Sequence, residues 1–288
     1  MASLYKMNHP RRGKAVIINN VNFNTQARLN RRKGSRQDSD SLADCLRGLN
    51  FTAEKHEDKT TGEISKIFEK VAAEDHSDAD CLVVSLMSHG GKEGISGTDF
   101  NRRNFMQLQD ERDGNYRSAG VLELSDIIDP FKGDKCPTLV GKPKIFILNA
   151  CRGDDMDYGV EGPIDQVDSV TSRYTRVQRL PIDADIFVLF SCTEGYTTLR
   201  DEISGSYFVQ DLCRVFLEYG KTLHLNELVL KVKEMVAARQ TVVQGSAHLE
   251  FQMPVVLDTL RKLVYFDHKT SITRQPSADI TRMIRLFE

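Results

Sequence analysis

"KIFILNACRGDD", residues 144–155, is the stretch that decides the fold. An unbroken apolar run ends at Asn149, and Cys151 stands two positions past that end, followed by Arg152, Gly153 and two aspartates. Runs this short and this solidly apolar suit strands covered on both faces, as in parallel sheets. The same kind of run recurs at "AVIIN" 15–19, "CLVVSLM" 81–87, "DIFVLFSC" 185–192 and "MPVVL" 253–257, with "LVYF" 263–266 close behind. "FTAEKHED" 51–58 alternates and is the weakest strand candidate.

Amphipathic helices lie between these runs. Leu42, Cys45, Leu46 and Leu49 fall at i, i+3, i+4, i+7, as do Ile64, Ile67, Phe68 and Val71, and further stripes cover 208–219 and 225–236. Such stripes lay one helix face on a core. Strands alternating with helices predict an α/β fold: a single, mainly parallel but mixed six-stranded sheet with helices on both faces. One folded domain is expected over 9–268, with a short segment 1–8 before it and an appended tail 269–288.

Three segments break the alternation. "RLNRRKGSR" 28–36 carries five basic residues and no acid. Residues 97–120 form a polar stretch far longer than ordinary loops in compact domains. Residues 153–181 are Gly- and Asp-rich, then basic, with no helical or strand period.

Bulk properties narrow the function. The 288 residues are 40% hydrophobic and 28% charged with a net charge of −2, which suits an ordinary globular protein and argues against nucleic acid as the main partner. No run reaches the ~20 apolar residues that cross a membrane, and the N-terminus lacks a signal-peptide core, so a cytoplasmic location is expected. The six cysteines are scattered without C-x-x-C pairs, so neither disulfides nor a metal site is expected, and no cofactor is implied.

In open α/β sheets, sites form outside the carboxyl ends of strands. There the sequence places His89 and Gly90 after 81–87, Cys151 after 144–149, Arg200 after 185–192, and Arg31 and Arg32 after the first strand. A thiol attacks as its thiolate, and a neighbouring imidazole lowers the thiol's pKa from ~8.5. The imidazole then protonates a leaving amine. Backbone N–H groups of Gly90 and Cys151 are placed to stabilise an oxyanion.

With these residues the sequence resembles the caspases, cysteine proteases that cut after aspartate. "NACRG" 149–153 matches the family's nucleophile motif, Q-A-C-[RQG]-G, with Asn149 in place of the glutamine. "LMSHGGKEGISGTD" 86–99 matches its histidine motif, and "EGYTTLRD", "GSYFVQDLC" and "QMPVVLDTLRKLVYF" extend the similarity over 9–268. The resemblance implies Cys151 as nucleophile and His89 as acid–base. It also implies a substrate-aspartate pocket of Arg32, Arg200 and Asn149. Guanidiniums grip a carboxylate through paired charged hydrogen bonds. Asparagine is one methylene shorter than glutamine, and a water bridge is one consequence. Thr197 and Leu199 stand where executioner-type members carry aromatics, which implies a roomier second pocket. Tyr207 holds the aromatic position of the far pocket.

The resemblance further implies a zymogen, with a large subunit about 9–168 and a small one about 176–268, cut in the linker. "DQVD" 165–168 followed by Ser169 is the favoured cut, after Asp168, with Asp157 a weaker alternative. Partners implied are protein substrates bearing aspartate, a second copy in a homodimer, upstream caspases and inhibitor-of-apoptosis proteins. The few residues before the conserved core suggest an effector or a trimmed catalytic domain. The 97–120 insertion reads as a tolerated surface loop or a regulatory element. An inactive homologue that regulates other caspases is the competing reading, supported by Asn149. A protease for basic residues or a nucleotide-binding protein fits poorly, since Arg32 and Arg200 have the wrong charge for the first and "GKPK" lacks the phosphate-loop pattern of the second.

Overall fold

The computed structural model describes residues 3–111, 116–153, 155, 180–242 and 249–267. Asp157, Asp168, Ser169 and the tail 269–288 lie outside the described residues.

Six strands form the central sheet: β1 (Lys14–Asn19), β2 (Thr52–Glu57), β3 (Leu82–Met87), β4 (Lys144–Asn149), β5 (Ile186–Phe190) and β6 (Val255–Asp258). Their order is β6-β5-β4-β3-β1-β2, parallel throughout except for antiparallel β6. The sheet is the mixed six-stranded one read from the sequence. After β1 the chain goes to one neighbour and then returns to the other, so the topological switch lies between β1 and β3. Ligands bind at such crevices.

Each central strand feeds two cores because successive side chains point to opposite faces. Ile17, Val83, Ile145, Ile147 and Leu189 face one layer, where helices α1 (Ser35–Gly48), α5 (Tyr207–Tyr219) and α6 (Leu225–Ala238) pack. Val16, Ile18, Val84, Phe146 and Val188 face the other, against α2 (Thr61–Ala72) and α4 (Leu124–Ile128). Helix α3 (Arg102–Glu111) belongs to the insertion. Starts are set locally: Thr60 and Glu63 close a capping box on α2, and Ser206 caps α5 by accepting from the Val209 N–H.

One strand candidate goes elsewhere. "LVYF" 263–266 joins no sheet and makes only isolated bridges, Leu263 to Leu4 and Tyr265 to His224. Its alternate residues Val264 and Phe266 are buried in the helical layer, Phe266 with its ring 5.9 Å from Phe51. The alternating segment takes the edge position as β2, where one face meets solvent.

Buried charge ties the base of the sheet. Arg12, 1% exposed, donates to Asp80 at 3.0 Å, to the Leu49 carbonyl at 3.3 Å and to the Asp267 carbonyl at 2.9 Å. Asp80 also accepts from the His9 N–H at 2.8 Å, but removing Arg12 takes away the charge that compensates its buried carboxylate. Arg12→Ala is expected to destabilise the protein by about 3–5 kcal/mol in urea denaturation, and a loss under ~1 kcal/mol, the range of an exposed pair, would contradict this.

Candidate active site

Register brings the site together. Asn19 pairs with Met87 across β1 and β3, and Met87 with Asn149 across β3 and β4, so three strands end level. Two residues beyond those ends, His89 and Cys151 emerge at the same edge. Together with Arg32, Thr198 and Arg200 they line a cavity of about 230 Å³. The sequence-predicted His89, Cys151, Arg32 and Arg200 therefore share one cavity.

The side chain of Cys151 lies at the cavity surface, whereas the other five cysteines are buried. The Thr198 N–H points at Cys151 Sγ, 3.4 Å away. Thr198 Oγ1 lies within hydrogen-bond reach of the Ala150 carbonyl at 3.3 Å and of Ser191 Oγ at 2.7 Å, which fixes Thr198. Gly90 has no room for a side chain: a Cβ there would sit 2.6 Å from the Cys151 carbonyl and 3.1 Å from Ala150 Cβ.

The rest of the cysteine motif is scaffolding. Gly153 lets the 193–197 loop pass, since a Cβ would lie 2.1 Å from the Gly195 carbonyl. The Arg152 N–H donates to the Tyr196 carbonyl and the Gly195 N–H to the Arg152 carbonyl. The Arg152 guanidinium covers the Phe190 ring at 4.2 Å. This lattice of backbone bonds holds the Cys151 turn rigid.

His89 is oriented by backbone, not by an acid. Its Nε2 lies 2.8 Å from the Asn30 carbonyl, and the Phe23 ring tilts against it at 5.0 Å. A carbonyl only accepts, so Nε2 carries the proton and Nδ1 is the lone-pair nitrogen of the neutral ring. Burial pushes the His89 pKa down to about 4, opposed by the Asn30 carbonyl and reinforced by the charges of Arg32 and Arg200.

Beside His89 and Cys151 is a cluster of unmet polar atoms. Seven buried side-chain atoms among the described residues lack a hydrogen-bond partner, and four are here: Arg32 Nη2, Arg200 Nη1, Asp38 Oδ2 and Asn149 Oδ1. Arg32 is 5% exposed and held by Nη1 alone, which donates to Asn19 Oδ1 at 3.1 Å, the Asn20 carbonyl at 2.8 Å and Ser35 Oγ at 3.0 Å. Its burial and the facing Arg200 charge press its pKa well below the ordinary value. The buried acid at hand is Asp38, whose Oδ2 is 3.7 Å from Arg200 Nη1, while Glu202 at the exposed rim of the cavity pairs with Lys33. Burial raises the Asp38 pKa to about 6 despite Arg200 and the Ser206 N–H, which donates to Oδ1 at 2.7 Å. Two guanidiniums thus present free donors to a carboxylate-sized space.

Asn149 is fully buried, and its Nδ2 donates to Ser206 Oγ at 2.9 Å. That bond uses one of its two amide N–H groups; Asn149 is not among the residues lining the cavity, and its Oδ1 has no hydrogen-bond partner. Along 197–200, alternate residues diverge: Thr198 and Arg200 line the cavity, while Leu199 is buried and its N–H donates to Gln252 Oε1 at 2.8 Å. Thr197 is half-buried, with its N–H donating to the Asp155 carbonyl. Tyr207 sits under the Arg239 guanidinium at 4.7 Å, outside the cavity lining.

Sequence reasoning missed Asn30, Phe23, Thr198 and Asp38. The first three act through backbone or ring placement, which leaves no residue-type signal. Asp38 falls on the buried face of α1, where an acid was a visible anomaly. Among the described residues, no group of three or more acids, histidines and cysteines could hold a metal.

The caspase domain model matches residues 12–265. The chain belongs to the caspase family. It is 32% identical to caspase-7 of Gallus gallus over 91% of this chain and 79% of that protein. With caspase-3 of Mus musculus it is 31% identical over 92% of this chain and 88% of that one. The crystal structure of caspase-1 from Spodoptera frugiperda superposes with a TM-score of 0.79 at 31% identity, covering 94% of this chain and 96% of that chain. The relationship makes the chain a caspase-type cysteine protease of a family activated by cleavage, and the fold is the family's. Among the described residues no helix is long and apolar enough to cross a membrane.

His89 is expected to titrate far below an ordinary histidine in the ligand-free protein. Because its pKa is depressed from 6.5 to about 4, the neutral ring's contribution to stability is complete above 6.5 and is lost as pH falls toward 4. An NMR titration of the ring carbons checks this; a midpoint at or above 6.5 would contradict it.

Proposed function

We propose that this caspase cleaves peptide bonds after aspartate, with Cys151 as nucleophile, His89 as acid–base, and Arg32 and Arg200 binding the substrate carboxylate. The observation that carries this reading is the pair of orphan guanidinium donors, Arg32 Nη2 and Arg200 Nη1, beside Cys151. A carboxylate between them satisfies both and adds the counter-charge that Asp38 alone does not supply for two arginines, whereas an uncharged side chain leaves both buried donors unmet.

The chemistry follows from the His89 tautomer. Nδ1 takes the Cys151 proton as Sγ attacks the carbonyl carbon, forming the C–S bond. The oxyanion accepts from the N–H groups of Gly90 and Cys151. His89 then gives the proton to the leaving amine as the C–N bond breaks, and water hydrolyses the thioester with His89 as base. Arg32 and Arg200 oppose an imidazolium in the empty site. The bound carboxylate offsets their charge, so the substrate that fits the pocket also eases charging of the ring.

Asn149 backs the pocket through its bond to Ser206, which leaves one amide N–H uncommitted. Thr197, Leu199 and Tyr207 remain the proposed contacts for residues before the aspartate, with Leu199 limiting depth. The proposed activating cut follows Asp168, within D-Q-V-D. Partners are aspartate-bearing proteins in programmed cell death, upstream caspases and inhibitor-of-apoptosis proteins, met in the cytoplasm. A homodimer through β6 is supported by that strand's free edge among the described residues and by exposed Met253 and Leu257. The regulatory-homologue reading rests on Asn149 alone, while the Cys151 and His89 placement favours an enzyme.

Intact mass of the freshly expressed protein beside Cys151→Ala tests self-processing: the wild type is expected split after Asp168 and the variant whole. Matched peptides ending in Asp or Asn test the pocket, with a loss in kcat/KM of roughly 10⁴ expected for Asn. A wild type that stays whole and cleaves neither peptide, even after an added protease cuts the linker, would overturn the reading in favour of the regulatory homologue.

A further inference from the structure

The 97–120 insertion packs against the loop that holds the catalytic imidazole. Both contacts that orient His89, the Phe23 ring and the Asn30 carbonyl, come from residues 22–30. The base of this loop is pinned by Asp58 Oδ1, which accepts from the N–H groups of Val21 and Asn22, and by the Arg32 N–H bond to the Val21 carbonyl. The span between lies outside the central sheet and is held by the insertion. The Asn24 N–H donates to the Thr98 carbonyl at 3.2 Å, the Arg102 N–H to the Gln26 carbonyl at 3.4 Å, and Asn101 Nδ2 to Gln26 Oε1 at 3.0 Å.

Side chains reinforce the contact. Ala27, Phe100 and Val121 form a buried cluster separate from the two main cores, with Phe23, Leu29, Phe105 and Tyr116 packed on it. Phe105 is central, its ring 5.4 Å from Phe100 and 5.5 Å from Tyr116. Arg28 has a φ of 51°, a left-handed conformation that a non-glycine residue keeps only when its surroundings hold it there. The ring that orients His89 therefore belongs to the same small cluster as the aromatic residues of the insertion.

We propose that the insertion is a positioning element for His89, with Phe105 as its keystone: α3 and the 116–119 turn fix the 22–30 loop, and that loop sets the imidazole against Cys151. Phe105 is a positioning residue, since it acts through Phe23 and Asn30. The inference rests on His89 serving as the acid–base.

Two readouts test it without relying on protease activity alone. Cys151 is the one cysteine not buried, so its alkylation by iodoacetamide can be followed against pH. The titratable groups facing His89 and Cys151 are Arg31, Arg32, Lys33, Arg200 and Glu202 across one cavity, Lys92, Glu93 and Arg152 around a second cavity that Cys151 also lines, and Cys192 and Asp38 behind, and a change at Phe105 alters none of them. Phe105 is half-buried, so truncation leaves both main cores intact.

In Phe105→Ala the alkylation profile is expected to move toward that of His89→Asn, and kcat on an aspartyl peptide to fall roughly 10–100-fold with KM little changed. Phe105→Leu, which keeps an apolar filler, is expected to restore the wild-type profile. Phe68→Leu, in the opposite core, serves as a control with lowered Tm and an unchanged profile. A wild-type profile and kcat in Phe105→Ala would overturn the proposal, as would an equal shift in Phe68→Leu. If His89→Asn itself leaves the alkylation profile unchanged, the acid–base reading fails and this inference with it.

Discussion

Two guanidiniums buried side by side, each with a donor left unmet, are the constraint on which the site depends. Arg32 is nearly sealed from solvent and Arg200 faces it, with one buried carboxylate, Asp38, for compensation. Such an arrangement is unfavourable by itself, and the surrounding fold holds it in place. The Asn19–Ser35 network grips Arg32 from the end of β1, and the N-terminus of α5 holds Asp38 through Ser206. The site lies where the sheet changes direction between β1 and β3, which leaves a crevice without a helix to cover it.

Recognition and chemistry share one electrostatic field here. The arginines that attract a carboxylate also disfavour a charged imidazole, and burial acts in the same direction. Together they keep His89 neutral, with Nδ1 unprotonated. On the proposed reading, a carboxylate in the pocket offsets the charge that opposes proton transfer, which would couple affinity for aspartate to reactivity of Cys151. The backbone of Thr198, Gly195 and Tyr196 meanwhile fixes the thiol without any charged partner.

Most of this architecture was legible because it rests on patterns with a physical period. Solid apolar runs marked β1, β3, β4 and β5, and their ends gave His89 and Cys151. The pattern misled at "LVYF" 263–266, where alternate burial in a helical layer resembles a strand without sheet pairing. It understated β2, whose solvent-facing side dilutes the apolar signal. The strand ends also gave Arg31, Arg32 and Arg200, and the family motif singled out Arg32 and Arg200 as a pair, since an arginine's burial cannot be read from its neighbours. Asn30 was invisible because its carbonyl does the work, and every residue has one. The Asn149 amide was legible as a departure, but its commitment to Ser206 is a tertiary fact. The insertion at 97–120 read as polar surface because its aromatics, Phe100, Phe105 and Tyr116, are too widely spaced to show a period.

The central claim is that the orphan donors of Arg32 and Arg200 hold a carboxylate beside Cys151. The most direct measurement is a crystal structure with a peptide ending in an aspartyl aldehyde, which bonds reversibly to an active thiol. The account predicts a hemithioacetal at Cys151 Sγ and the aspartyl carboxylate bound by Arg32 Nη2 and Arg200 Nη1. An adduct whose carboxylate points away from both arginines, or no adduct at Cys151, would contradict it.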